Sequence, residues 1–194
     1  MGIADREVLR PTSRAAWRRW LAQHHTDSPG VWVEYPKVHS GLRGPTYDDL
    51  VEEALCFGWI DSVVRKTGVD GLKCMHVSPR QPGSIWAKTN KVRLQRLEEA
   101  GALTEAGLAV IERAKADGSW TLLDDVEGHV IAEDLATALA EHPKAREHLL
   151  GWPKSVLDRS LYWCYSAKRP ATRAERIAIV AAAAARNEPP PQIG

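Results

Sequence analysis

The sequence has one phenylalanine, Phe57, and three cysteines, Cys56, Cys74 and Cys164, an odd number set far apart. No disulfide framework can be read from such a set, and a reduced, cytoplasmic protein is expected. An excess of one charge is also missing, with Lys+Arg at 26 and Asp+Glu at 25 for a formal net charge of +1. That balance argues against a dedicated nucleic-acid coat, although a local basic patch can hide inside a neutral total. No apolar run approaches the ~20 residues of a membrane span, so no membrane insertion is expected. Met1 to Arg10 carry Asp5, Arg6, Glu7 and Arg10 without a continuous apolar stretch, which is not the pattern of an export signal. The seven histidines form no H-E-x-x-H, and no Cys-x-x-Cys occurs. Glycine-rich phosphate loops and the G-x-S-x-G elbow are absent as well. The expectation is no metal and no cofactor.

What remains is an ordinary soluble composition, 44% hydrophobic and 26% charged over 194 residues. That length is enough for a core without disulfide or metal staples. The unusual number is eight tryptophans. Trp is large, carries an N–H that needs a partner, and stacks on ligands or cations, though most fill cores and their margins.

Periodicity predicts a first helix over Ser13–His24, with Ala16, Trp17, Trp20 and Leu21 at helical spacing. Val31–Tyr35 reads as a strand. Thr46-Tyr47-Asp48-Asp49 opens a helix with a capping residue and early acids, burying Leu50, Val51, Ala54 and Leu55, and Gly58 ends it. Ser62–Lys66 and Lys73–Val77 flank Gly68-Val69-Asp70-Gly71 as an antiparallel hairpin. After Pro79 and Pro82 the chain turns helical, near 84–100, 104–117, 132–141, 145–150, 155–166 and 172–185. The reading is α+β, with a small antiparallel sheet of about three strands in the N-terminal half and a helical C-terminal half. Residues 1–83 form the α+β part, 84–186 a helical part packed with it as one unit, and 187–194 a Pro-rich tail.

Polar residues among tryptophans between Gly58 and Asn90 form the candidate site. Asp61 stands where a helix gives way to a strand, a junction where polar side chains cap or bind. The plainer account has it satisfied by backbone amides or an arginine. Arg80 precedes Ser84, a natural N-cap, so a helix N-terminus with an anion beside it is expected there. On a helix beginning at Ser84, Trp86, Asn90 and Arg93 share a face and Lys88 cannot join it. The hairpin should return the chain so that Asp61 and Arg80 face each other or a common cavity. A second cluster, Lys168, Arg169, Arg173 and Arg176, surrounds Thr172 and Glu175, which match a capping box. This is either a solvated basic face or a contact for an anion or nucleic-acid phosphate.

Taken together, several motifs resemble the YdeI/OmpD-associated, or bacteriocin-protection, family. They are Trp17-x-x-Trp20-Leu21, Thr46-Tyr47-Asp48, Glu53 through Asp61, Pro79-Arg80, Ser84-x-Trp86-x-Lys88-x-Asn90, Gly118-x-Trp120 and Ala167-Lys168-Arg169-Pro170-x-Thr172-Arg173. The resemblance runs from about Trp17 to Ile177. Four positions depart from it: Ala87 stands where a serine is expected, Val77-Ser78 replaces an aromatic-Thr pair, and Ala132 replaces a proline. The resemblance implies a bacterial, cytoplasmic protein tied to antimicrobial-peptide tolerance and other stress, and brings no catalytic mechanism with it.

The expected function is binding of a small anionic or mixed-charge ligand by Trp59, Asp61, Arg80, Trp86 and Asn90. Arg80 would hold a carboxylate or phosphate, Asp61 would orient a donor, and the tryptophans would wall the pocket. One alternative is an enzyme, a hydrolase or isomerase disarming a reactive metabolite with Asp61 as acid or base. The other is an interaction or nucleic-acid module built on Lys168–Arg176.

Overall fold

The computed structural model describes residues 2–193. It divides into two compact units, Met1–Asp117 and Gly118–Gly194. The change in composition at Pro79–Gly83 suggests a boundary at 83/84, but the helices that follow it, up to Ala116, fall in the unit that holds the sheet.

The first unit is built on four strands, β1 (Val8–Leu9), β2 (Val31–Pro36), β3 (Trp59–Arg65) and β4 (Leu72–Pro79), in the order β1-β2-β4-β3. The expected hairpin is β3–β4. The additional strand β1 is two residues long and pairs parallel with β2 through Val8↔Trp32 and Leu9↔Val33, too short for alternation to reveal. Across the sheet Val31 pairs with Val77, and Asp61 pairs with Val77 from the other side. This row sets Asp61 on the same sheet face as Val31 and Val77, both buried. A register shift follows between Asp61 and Val64, ending the regular pairing just after the carboxylate.

Four helices accompany the sheet: α1 (Arg14–His24), α2 (Tyr47–Cys56), α3 (Lys88–Glu99) and α4 (Glu105–Ala116). Ser13 Oγ caps α1 by accepting from the Ala16 N–H. Thr46 caps α2 as expected, Asp49 completes a capping box with it, and Gly58 follows the helix end at φ +72. The two helices are tied by the Trp17 indole N–H on the Leu50 carbonyl at 3.0 Å. Buried Glu53 adds a second tie, accepting from Arg14 and Arg18, each at 2.6 Å. Helix α4 approaches the end of α2 so closely that a Cβ on Gly107 would lie 2.3 Å from the Cys56 carbonyl oxygen.

Helix α3 corrects the sequence reading. It begins at Lys88, with Ala87 at the N-cap and no side-chain cap, rather than at Ser84. The Ser84 N–H closes a turn on the Gln81 carbonyl at 3.1 Å, and the Ile85 carbonyl accepts from Arg80 Nη1 at 2.8 Å. In a helix that carbonyl would serve the N–H of Thr89, so the guanidinium holds this segment out of helical geometry.

The second unit is helical: α5 (Leu122–Glu127), α6 (Glu133–Ala140), α7 (Ala145–Gly151), α8 (Lys154–Tyr165) and α9 (Pro170–Ala185). Its core gathers Leu135, Leu149, Leu161, Val180 and Ala184. Here too a cap is corrected. Pro170 occupies the first turn of α9, whose N-cap is Arg169, so Thr172 and Glu175 lie within the helix and form no capping box. The fixed φ of proline favours an early start. The Pro-rich segment leaves the helix as expected but is not a loose tail, because Ile193 is 5% exposed and joins the core.

Candidate functional site

Strand β3 and the head of α2 bring a carboxylate and a phenol together. Tyr47 donates its hydroxyl to Asp61 Oδ2 at 2.8 Å. Burial and that carboxylate push the Tyr47 hydroxyl up to about 12. Tyr35 on β2 sits with its ring 6.1 Å from that of Tyr47, and its hydroxyl is raised by burial and by Asp61.

Arg80 follows β4, its backbone N–H on the Gly58 carbonyl at 3.0 Å. It is 5% exposed, and its guanidinium lies over the Trp86 ring at 3.6 Å. Burial lowers it to about 10, with the negative charge of Asp61 acting in the opposite direction. Asp61 is thus close enough to be felt by Arg80, yet among the described residues the two form no ion pair within 4.0 Å. Nη1 serves the Ile85 carbonyl, and Nε is buried with no partner. A buried donor without an acceptor is costly and uncommon.

The remaining expected residues divide. Asn90, on the first turn of α3, accepts from Arg93 Nη1 at 3.2 Å, and Arg93 Nη2 reaches Asp48 at 2.6 Å. Trp86 is buried but precedes the helix, so the face shared by Trp86, Asn90 and Arg93 does not exist as a helical stripe. Trp59 is a core residue in its contacts, with its indole N–H on the His25 carbonyl at 3.2 Å and its ring 5.9 Å from Trp20. Sequence reasoning missed Tyr35 and Tyr47. The signal for Tyr47 was its place directly after the helix cap, and Tyr35 offered none beyond strand alternation.

The basic cluster is largely spent inside the second unit. Arg173 donates from Nε and Nη2 to Asp134, the latter at 3.0 Å, and lies 5.1 Å from the Tyr165 ring. Arg176 donates to the Trp163 carbonyl at 2.7 Å. Tyr165 in turn accepts from the Ala132 N–H and donates to the Val130 carbonyl. Lys168 and Arg169 are exposed. Among the described residues no group of three or more His, Cys, Asp or Glu is placed to hold a metal ion.

Residues 9–110, just over half of the chain, match a family model described as a domain of unknown function, DUF8412. The chain belongs to this family. Residues 129–187 match the model described as "Bacteriocin-protection, YdeI or OmpD-Associated". The resemblance read along the sequence is therefore shown over that stretch, which contains Ala167–Arg173, while Glu53–Asp61 and Arg80 lie in the DUF8412 stretch. No curated protein and no solved structure matches the chain.

Proposed function

We propose that the first unit binds a small anionic or mixed-charge ligand beside Arg80 and Asp61, in a cytoplasmic bacterial protein that serves antimicrobial-peptide or stress protection. The protective role is supported by the bacteriocin-protection match at residues 129–187. The observation that carries the binding reading is Arg80, nearly fully buried, with Nε facing no acceptor and its ring platform already in place. A ligand carboxylate or phosphate supplies the missing acceptor, and the fork geometry of arginine suits it. Asp61, held by Tyr47, orients a donor on the same ligand. Arg173 and Arg176 already have internal partners, so this reading takes no ligand contact from them.

Thermal melts in inorganic phosphate, acetate and zwitterionic amino acids test it. At least one of these probes is expected to raise the melting temperature of the parent but not of Arg80→Met, with a reduced effect in Asp61→Asn. Equal shifts in the parent and Arg80→Met would remove the site.

A further inference from the structure

The end of the sheet where β2 gives way to a loop and the β3–β4 turn returns has a chemistry unlike the Arg80 site. Two loops meet there. The Lys37 N–H bonds the Gly71 carbonyl at 2.8 Å, and Lys37 Nζ lies 3.5 Å from Asp70. Gly71, at φ +78, allows the approach, because a Cβ there would stand 3.0 Å from Leu42 Cδ1 and 3.1 Å from Ser40 Cβ. Two concavities of about 740 and 670 Å³ open between and beside the loops and share Lys37, Asp70 and Lys73.

The crests of these loops are aliphatic. Val38 is 90% exposed, Leu42 49% and Val69 43%, and Val64, near the end of β3, is 62% exposed. Single exposed apolar residues are ordinary, but four on adjoining segments make a patch. Around it stand Lys37, Lys66 and Lys73, and Asp70 is the only acid lining either concavity. Among the described residues Lys66 and Lys73 have no carboxylate within 4.0 Å. Tyr35 is 5% exposed and no Phe or Trp lines these concavities. The only exposed ring there is the imidazole of His39, a poor platform for single-stranded nucleic acid, which stacks on several aromatic rings. Aliphatic crests ringed by three lysines, two of them without a carboxylate partner, complement a surface that is apolar beneath and anionic at its face.

We propose that this end of the sheet docks on an anionic lipid surface, with Val38 and Leu42 entering the headgroup layer and Lys37, Lys66 and Lys73 meeting lipid phosphates. The contact is peripheral, since among the described residues no helix is long and apolar enough to cross a membrane. Co-sedimentation of the full chain with vesicles of phosphatidylcholine, with and without phosphatidylglycerol, tests it. Binding is expected only with phosphatidylglycerol and should weaken as salt rises. Lys66→Glu and Lys73→Glu should each lower affinity by about fivefold or more. The pair Val38→Asp with Leu42→Asp should lower it by about tenfold. Val38→Asp alone, at the most exposed of these positions, serves if the pair disturbs folding. Failure to bind phosphatidylglycerol vesicles at low salt overturns the proposal. So does unchanged binding of the aspartate variants, or displacement from vesicles by a single-stranded oligonucleotide at equal charge concentration, either of which would mark a mere attraction to polyanions.

Discussion

Each unit contains an arginine laid on an aromatic ring near an aspartate, and the two trios end differently. In the second unit Arg173 lies over Tyr165 and gives two hydrogen bonds to Asp134. Its pairing is complete, and the aspartate side chain is 46% exposed. In the first unit Arg80 lies over Trp86 but donates to a carbonyl, while Asp61 takes its hydrogen bond from Tyr47. Nε is left open in a side chain that is 5% exposed. The same residue types thus make a brace in one place and an unfinished coordination shell in the other. Whether the donors are used up separates them, and five substitutions test the contrast.

The largest effect belongs to the platform of the open trio. Trp86→Ala removes a ring that is 1% exposed and should cost about 3–5 kcal/mol in a denaturant melt. A loss below about 1 kcal/mol would mean that the ring is not part of the core. In the closed trio, Tyr165→Phe strands the Ala132 N–H and the Val130 carbonyl. The expected cost is about 1–2 kcal/mol, and a neutral result would show that water replaces the hydroxyl. Arg173→Ala should cost about 1 kcal/mol, because solvent screens the half-exposed aspartate it leaves behind. Thr172→Ala, with no cap to lose, should stay within about 0.5 kcal/mol. Arg80→Met reverses the sign. Removing an underpaired buried cation should leave stability unchanged or raise it by about 1 kcal/mol. A loss of several kcal/mol would instead make Arg80 a brace like Arg173.

The sequence disclosed those features that depend on near neighbours. The Thr46–Asp49 box, the hairpin turn and the buried stripe of α2 follow from spacings of a few residues, and all are present. Both helix starts were misread because a nearby residue competes with the cap signal. The Arg80 guanidinium claims the Ile85 carbonyl five residues on, and the ring of Pro170, two residues before Thr172, begins the helix early. Asp61, Arg80, Trp86 and Asn90 stood out because polar groups were crowded among tryptophans. Tyr35 and Tyr47 did not, since their approach to Asp61 depends on the sheet register and the docking of α2. Arg173 reads from the sequence only as a solvated charge or an anion contact, because its partner Asp134 lies 39 residues away.

The pH dependence of the Arg173 brace separates the ion pair from the ring contact. The hydrogen bonds from Arg173 hold the Asp134 carboxyl below its ordinary value. Through the range between the two values the unfolded chain binds more protons than the folded one, so stability rises with pH there. The contribution is complete above the ordinary carboxylate range and is lost as pH falls through the folded value. The cost of Arg173→Ala should therefore be greatest above about pH 5 and shrink toward zero near pH 2. In an Asp134→Asn background the same substitution should cost equally little at both ends. Melts of the four proteins across that range close the cycle. If the cost of Arg173→Ala is as large at low pH as at neutral pH, the stabilisation resides in the stacking of Arg173 on Tyr165, and the contrast with Arg80 on Trp86 would lie in exposure alone.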